Sequence, residues 1–332
     1  MMNDTVAKIG IMSFAHMHAY GYAECLKKLP GVEFVGVADD DPKRAKDAAK
    51  RLGVKAFPSY DDLLASDIDG VIVTSENANH RRHVVVAAQS EKHVMCEKPI
   101  SVSKQDAEAI VEVAKRSGIK LMTAFPCRYH PAYTRLKRAI DAGELGRLLA
   151  VKSTNQGQCP GGWFIDKKLS GGGAVIDHTV HLVDLMRHMT GAEPARVYAE
   201  IDNRRFGGDL DDTGIISVDF TNGMFATIDA SWSRPKSYPY WGNVNMDVVG
   251  TGGIASMRMF AQKADVYSDK TNRHTYAYWG DNMDMGLVEA FARCIREDTP
   301  PEVTGEDGVK ALEVALAAYE SSRLREAINL LE

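Results

Sequence analysis

No apolar run in the 332 residues approaches the ~20 needed for a helix to cross a bilayer. A basic surplus is also missing: Lys and Arg total 40 against 45 Asp and Glu, a formal charge of -5. Nucleic acid and anionic membranes both reward a basic surface, so neither is expected as the main partner. Cysteine is scarce and odd in number, five residues (Cys25, Cys96, Cys127, Cys159, Cys294) with no C-x-x-C pair. That argues against a disulfide frame and a structural zinc, and for a reduced, cytoplasmic setting. The opening MMNDTVAKIG has no basic stretch followed by a long apolar one, so no secretory leader is expected. Internal repeats and low-complexity segments are absent as well.

What is present is an ordinary globular composition, 45% apolar and 26% charged, enough to build cores without disulfides or metals. At about 150 residues per domain, the length suggests two domains. Short apolar strands at 7–12, 32–38, 70–74, 93–97 and 119–125 alternate with helical patterns at 18–29, 42–53, 80–89 and 104–118. Such alternation marks a parallel sheet covered on both faces. The pattern then changes. A helix near 131–142, a strand from 148, a loop rich in Gly and Pro at 156–164 and a helix at 173–189 are followed by short strands from 195 to 270. Tight turns such as Thr221-Asn222-Gly223 join several of them, which is mostly antiparallel sheet chemistry. Two helices, 283–297 and 305–328, close the chain. The reading is α/β throughout, with one domain over 1–125 and a second over 126–332.

A dinucleotide-binding fold sets the pyrophosphate against the turn between its first strand and first helix. Glycines of a G-x-G-x-x-G pattern let backbone N–H groups close in there. Here the register reads Ser13-Phe14-Ala15-His16-Met17-His18, and all three glycines are missing. Ser13 and Ala15 are small enough for the turn, whereas His18 conflicts with close helix–strand packing. Read alone, the segment is a plain strand–helix turn. Read in context, its backbone N–H groups are the expected pyrophosphate contacts, along Ser13, Phe14, Ala15 and His16. Past the second strand comes Asp39-Asp40-Asp41-Pro42. Asp41 before a proline suits a helix cap. Asp39 is then left to accept the hydroxyls of an adenosine ribose. A carboxylate there repels a 2′-phosphate, which favours NAD over NADP.

Glu97-Lys98-Pro99 ends the fourth strand, on the edge where open α/β sheets bind ligands. Lys98 is expected to point into that crevice; a solvated surface lysine is the alternative. In Gly171-Gly172-Gly173-Ala174-Val175-Ile176-Asp177-His178-Thr179-Val180-His181, Asp177 and His181 stand four apart on one helix face. An Asp so placed can hold a His tautomer for proton transfer. His178 lies about 100° round the helix from Asp177 and need not join them. An Asp/His/His metal site is the rival reading. It is set aside because no further ligand stands at metal spacing, and no metal is expected. A structural Asp–His pair is the blander one.

Together these pieces resemble the Gfo/Idh/MocA family, named for glucose–fructose oxidoreductase and inositol dehydrogenase, along nearly the whole chain. The resemblance lies in the Asp39 strand end, in Thr74-Ser75-Glu76-Asn77-Ala78-Asn79-His80, in Glu97-Lys98-Pro99 and in Phe125-Pro126-Cys127-Arg128-Tyr129-His130-Pro131. It continues through the stretch from Trp163 to His181, Asp211-Asp212-Thr213, Gly250-Thr251-Gly252-Gly253 and Val303-Thr304-Gly305-Glu306-Asp307-Gly308. It implies a Rossmann domain, doubly wound about a parallel sheet, followed by an α/β domain with a large open sheet. It also implies Lys98, Asp177 and His181 as a catalytic set, and Thr74, Asn77, His80, Glu97 and Lys98 beside the cofactor. The implied substrate is sugar-like or a cyclitol.

On this reading a hydride passes between NAD and a secondary alcohol of a polyol. His181 is the expected base, oriented by Asp177, with Lys98 stabilising charge on the same oxygen. Arg128, His130, Trp163 and His178 are the expected substrate contacts. Redox-neutral, NAD-dependent glycoside hydrolysis would use the same residues and stands as an alternative. A non-catalytic sensor of NAD or sugar is another, although three reactive groups in one crevice have no evident use in a pure binder. A broad sheet face in the second domain suggests a homodimer or homotetramer.

Overall fold

The computed structural model describes residues 6–238, 241–278 and 282–331. It divides into two compact units. The first takes the chain up to Pro126 together with Asp166–Gly171 and Asp284–Leu312; the second takes Cys127–Ile165, Gly172–Met283 and the chain from Glu313 on. Two later segments that a single cut at 125 gives to the second domain therefore count with the first.

The first unit is built on β1 (Ala7–Met12), α1 (His18–Leu26), β2 (Val32–Ala38), α2 (Pro42–Leu52), β3 (Lys55–Ala56), α3 (Tyr60–Leu64), β4 (Gly70–Val73), α4 (His80–Gln89), β5 (His93–Cys96), α5 (Lys104–Ser117) and β6 (Leu121–Thr123). All strands pair in parallel, in the order β3-β2-β1-β4-β5-β6. This is the strand order of a dinucleotide-binding doubly wound sheet, reversing between β1 and β4. β4 and β6 are buried along their whole length, as strands covered on both faces must be. β3 and α3 escape the sequence pattern because two and five residues are too short to show a period. Local chemistry fixes the helix starts. Asp41 caps α2 by accepting from the N–H groups of Lys43 and Arg44, with Pro42 in the first turn. As a result, Ser13, Asp39, Thr74 and Glu97 all follow directly on carboxyl strand ends.

The second unit continues with α6 (Pro131–Asp141), β7 (Leu148–Gly157), α8 (Ala174–Thr190), β8 (Pro194–Asp202), β9 (Thr213–Phe220), β10 (Phe225–Ser231), β11 (Gly242–Gly250) and β12 (Ile254–Arg258), the short helix α7 (Lys167–Ser170) falling in the first unit. A hairpin, β13 (Lys263–Ser268) and β14 (Arg273–Tyr278), stands apart from the main sheet. After α9 (Met283–Arg296) and α10 (Gly305–Leu324), β15 (Ile328–Asn329) adds an edge strand on β8. The main sheet runs β12-β11-β7-β10-β9-β8-β15, antiparallel except for the β7–β10 pair. Burial alternates along β9, with Ile216 and Val218 inside and Ile215 and Ser217 outside, so one face is covered and the other open. α8 covers it and is buried from Ala174 to Met186, apolar and polar residues alike. Asp211 anchors its start by accepting from the N–H groups of Gly173 (2.8 Å) and Val175 (2.7 Å). A Cβ on Gly173 would sit 1.9 Å from the Asp211 carbonyl oxygen, so this position has room for glycine alone. No helix among the described residues is long and apolar enough to cross a membrane.

Candidate active site

The glycine-free turn keeps the geometry that glycine usually supplies. Ser13 adopts φ 75°, a left-handed conformation rarely taken by a residue with a side chain. Thr74 donates its hydroxyl to the Ser13 carbonyl (2.7 Å) and helps to hold it there. The turn's own N–H groups are largely consumed. Phe14 N–H goes to Asp39, Ala15 N–H to the Ser13 hydroxyl, His16 N–H to the Thr74 carbonyl and His18 N–H to His16 Nδ1. The expectation that these N–H groups lie open to a pyrophosphate is corrected accordingly. His18 fits at the third glycine position because its ring turns toward Glu97 instead of pressing on the strand.

Asp39 is buried, and its carboxylate is full. Oδ2 accepts from Phe14 N–H (2.6 Å) and Arg44 Nε (2.7 Å); Oδ1 accepts from Asp41 N–H (2.8 Å) and Arg44 Nη2 (2.7 Å). The bare carboxylate expected to greet a ribose is thus a bidentate ion pair. Beside it lies a pocket of about 340 Å³ lined by Asp39, Asp40, Pro58, Tyr60, Arg82 and His83, among others. Tyr60 and His83 meet edge to face, and burial, with the Arg82 charge next in weight, pulls the His83 imidazole down to about 4. An aromatic wall of Tyr60 and His83 beside Arg82 and the Asp39, Asp40 and Asp61 carboxylates, at a carboxyl strand end, fits the adenosine end of a dinucleotide. A second sign of fit is Asn77, whose Nδ2 donates to the Ser170 carbonyl while its buried Oδ1 has no partner.

Glu97 exposes no surface. Its Oε1 accepts from Tyr22 hydroxyl (2.5 Å) and His18 Nδ1 (2.9 Å), and its Oε2 from Lys98 N–H (2.9 Å). Burial alone would raise its pKa, but the charges of His16 and His18, the His18 hydrogen bond and Lys98 hold it well below the usual carboxylate range. Ligand-capable atoms of His16, His18 and Glu97 lie within 4.8 Å of one another, a grouping the sequence reading did not foresee. Asp284 faces the same cluster, and its carboxyl is pushed up by burial first. Lys98 is 4% exposed, not a solvated surface lysine, and its bond to Pro99 is cis. His80 packs its ring nitrogens against the Pro99 carbonyl (3.0 Å) and the Ser75 carbonyl (3.1 Å), tying the β4 exit to the Lys98–Pro99 turn. Thr74, His80 and Glu97, expected beside the cofactor, have no exposed surface in this structure.

In the second unit, α8 carries Asp177, His181, Asp184 and His188 at i, i+4, i+7 and i+11, one continuous helix face. Each has a partner. Trp232 Nε1 donates to Asp177 Oδ2 (3.3 Å), Cys127 Sγ lies 3.8 Å from His181 Nδ1, Arg128 forks onto Asp184 (2.8 and 2.6 Å), and Tyr133 hydroxyl meets His188 (2.7 Å). Three expectations change. Arg128 is committed to a buried ion pair. His130 is fully buried, capping α6 by accepting from Ala132 N–H and packing edge-on against Phe260. His178, which on helix spacing need not join Asp177 and was expected at the substrate, lies 3.3 Å from its Oδ2. Trp163 is half-buried and stacked on Phe164 at 3.9 Å.

Sequence reasoning missed Arg44, Tyr22 and Trp232. Arg44 sits in the first turn of the helix that Asp41 caps, and Tyr22 stands four residues past His18 on one face, so spacing could have found both. Trp232 is 55 residues from Asp177 with no local signal.

Two family models match this chain. The NAD-binding Rossmann-fold model of the Gfo/Idh/MocA oxidoreductase family covers residues 5–125, and the Gfo/Idh/MocA C-terminal domain model covers 133–256. The chain is 30% identical to scyllo-inositol 2-dehydrogenase (NAD(+)) of Bacillus subtilis, over 96% of this chain and 93% of that protein. It is 28% identical to myo-inositol 2-dehydrogenase of Thermotoga maritima, over 98% and 99%. The crystal structure of GenD2 from gentamicin A biosynthesis, in complex with NAD, shares the fold with TM-score 0.90 at 24% identity, covering 99% of this chain and 97% of that one.

Proposed function

The chain belongs to the Gfo/Idh/MocA oxidoreductase family, and from that premise we propose an NAD-dependent dehydrogenase acting on a secondary alcohol of a cyclitol, sugar or related polyol. The observation that carries this reading is Lys98, buried at the carboxyl end of β5 in a Rossmann sheet. It is supported by relatives matched over almost their full length that are inositol dehydrogenases. The pocket beside Asp39 and Arg44, and Asn77 with its buried Oδ1, would hold NAD. When bound, NAD supplies the hydride acceptor at nicotinamide C4. His181 takes the alcohol proton, Lys98 stabilises the charge developing on the alcohol oxygen, and Asp177 supports the protonated imidazole. Trp163 offers a flat apolar face to a sugar ring. Relatives of this kind favour neither the redox-neutral hydrolase nor the sensor. We place the enzyme in the cytoplasm, where its thiols stay reduced, and as a homodimer or homotetramer joined through the open face of the second sheet.

The test is a panel of cyclitols and aldoses with NAD, read by NADH absorbance. Turnover on a panel member is expected. Lys98→Ala should bind NAD almost normally and lose at least ~10²-fold in kcat. Asp177→Asn should lose less than His181→Ala, because it keeps the proton acceptor. Normal turnover by Lys98→Ala would overturn the catalytic assignment.

A further inference from the structure

Asp177 and His178 are successive residues of α8, yet their side chains meet, with His178 Nε2 3.3 Å from Asp177 Oδ2. The ring is gripped from its other side. His178 Nδ1 lies 2.8 Å from the Asn155 carbonyl oxygen, and Asn155 Nδ2 donates back to the His178 carbonyl at 3.1 Å. A carbonyl oxygen only accepts, so Nδ1 must carry hydrogen. Nε2 then meets the carboxylate either with a proton between them or with a lone pair, and only the first arrangement attracts. The fold also makes room for this ring. A Cβ on Gly157 would stand 2.9 Å from His178 Cε1 and 3.2 Å from its Nε2. Trp232 Nε1 donates to the same Asp177 oxygen, at 3.3 Å. Two side chains therefore converge on Oδ2 and fix the plane of the carboxylate.

We propose that His178 is a positioning residue: seated by Asn155 and by the space Gly157 leaves, it holds the Asp177 carboxylate in the orientation the reaction uses. The inference rests on the reading of Asp177 as catalytic, and the experiment separates the two. Four variants, Asp177→Asn, His178→Leu, His178→Gln and Gly157→Ala, are assayed with NAD and the panel substrate of highest kcat/KM. Thermal midpoints are recorded alongside to identify any variant that fails to fold. Leu fills the ring's volume without a donor, so kcat should fall about 10-fold or more while KM stays within about twofold. Gln keeps a donor and should recover most of the loss. Gly157→Ala displaces the ring without removing it and should reproduce part of the kcat defect. His178→Leu added to Asp177→Asn should cost little more than Asp177→Asn alone, as expected for two groups acting as one unit. In the substrate-free enzyme labelled with 15N-histidine, the signal missing from His178→Leu is that of His178. It should report a protonated Nδ1 and should move in Asp177→Asn. A raised KM with unchanged kcat in His178→Leu would make His178 a substrate contact and overturn the inference, as would an unmoved His178 signal. Loss of activity in Asp177→Asn with normal kcat in His178→Leu would overturn it while sparing the catalytic reading. Normal activity in Asp177→Asn would remove both.

Discussion

Arg44 decides how much of Asp39 a cofactor can use. All four acceptor positions of that carboxylate are filled, two of them by one guanidinium. The repulsion of a 2′-phosphate expected of a bare Asp39 is therefore partly offset by the Arg44 charge paired with it. Arg44→Met should release Asp39 for the ribose hydroxyls and leave it to repel the phosphate. The NAD/NADP ratio of kcat/KM should rise by about tenfold, a difference of ~1.4 kcal/mol; an unchanged ratio would mean that Arg44 has no part in the choice of cofactor. His18 makes a second residue-scale prediction. Burial disfavours its charged form, yet Glu97, by charge and hydrogen bond, and then Asp284 outweigh this and raise its pKa above 6.5. A group that binds its proton more tightly when folded adds stability that is complete below the unfolded value. That stability is lost as pH rises through the folded one. Thermal midpoints followed from about pH 6 to about pH 8.5 should fall more steeply in the wild type than in His18→Gln. Parallel curves would show that His18 is neutral throughout. The Asp39–Arg44 pairing lay within reach of helix spacing, whereas the His18–Glu97 pairing was hidden because 79 residues separate the two.

Elements were legible where a period or a cap marks them. β1, β2 and α4 coincide with the runs read from the sequence, and α2 stops at Gly53, left-handed at φ 69°. The parallel β7–β10 pair inside a mostly antiparallel sheet was not legible, since neighbours 74 residues apart leave no mark on either strand. The polar face of α8 was legible only in part. Asp177 and His181 drew notice as chemistry, but Asp184 and His188 extend the same stripe, and their partners Arg128 and Tyr133 flank the start of α6. The site face of α8 also depends on its first turn. Gly173 approaches the Asp211 backbone so closely that a methyl group would overlap a carbonyl oxygen, which cannot rotate away as a side-chain tip can. Gly173→Ala should destabilise the protein by about 3 kcal/mol, the upper range for overpacking, as measured by denaturant unfolding. Gly53→Ala meets no neighbouring atom and carries only the strain of its positive φ, so it should cost about 1 kcal/mol. Equal losses at the two positions would mean that α8 can shift at its start without penalty.

At the scale of the molecule, two units share the burden of folding, and the composition that suggested ordinary cores is reflected in where the cysteines lie. Cys25, Cys96, Cys127 and Cys294 are buried and Cys159 is half-buried; all five are free thiols. The thiolate is the reactive form, and burial opposes it. Burial, with Glu97 adding to it, pushes the Cys96 thiol well up, and burial pushes that of Cys294 up to about 11. Cys127 lies inside the second unit against His181, out of reach of a bulky reagent. The folded enzyme should therefore show one thiol reacting readily with a disulfide reagent at mildly alkaline pH, namely Cys159. The other four should appear only on unfolding, and Cys159→Ser should abolish the fast phase. Reductant should leave the thermal midpoint unchanged, because no disulfide joins the described residues. A midpoint that falls on reduction would show that the fold relies on a covalent link after all. Two or more fast thiols in the native enzyme would show that one of the cores opens far more readily than its burial implies.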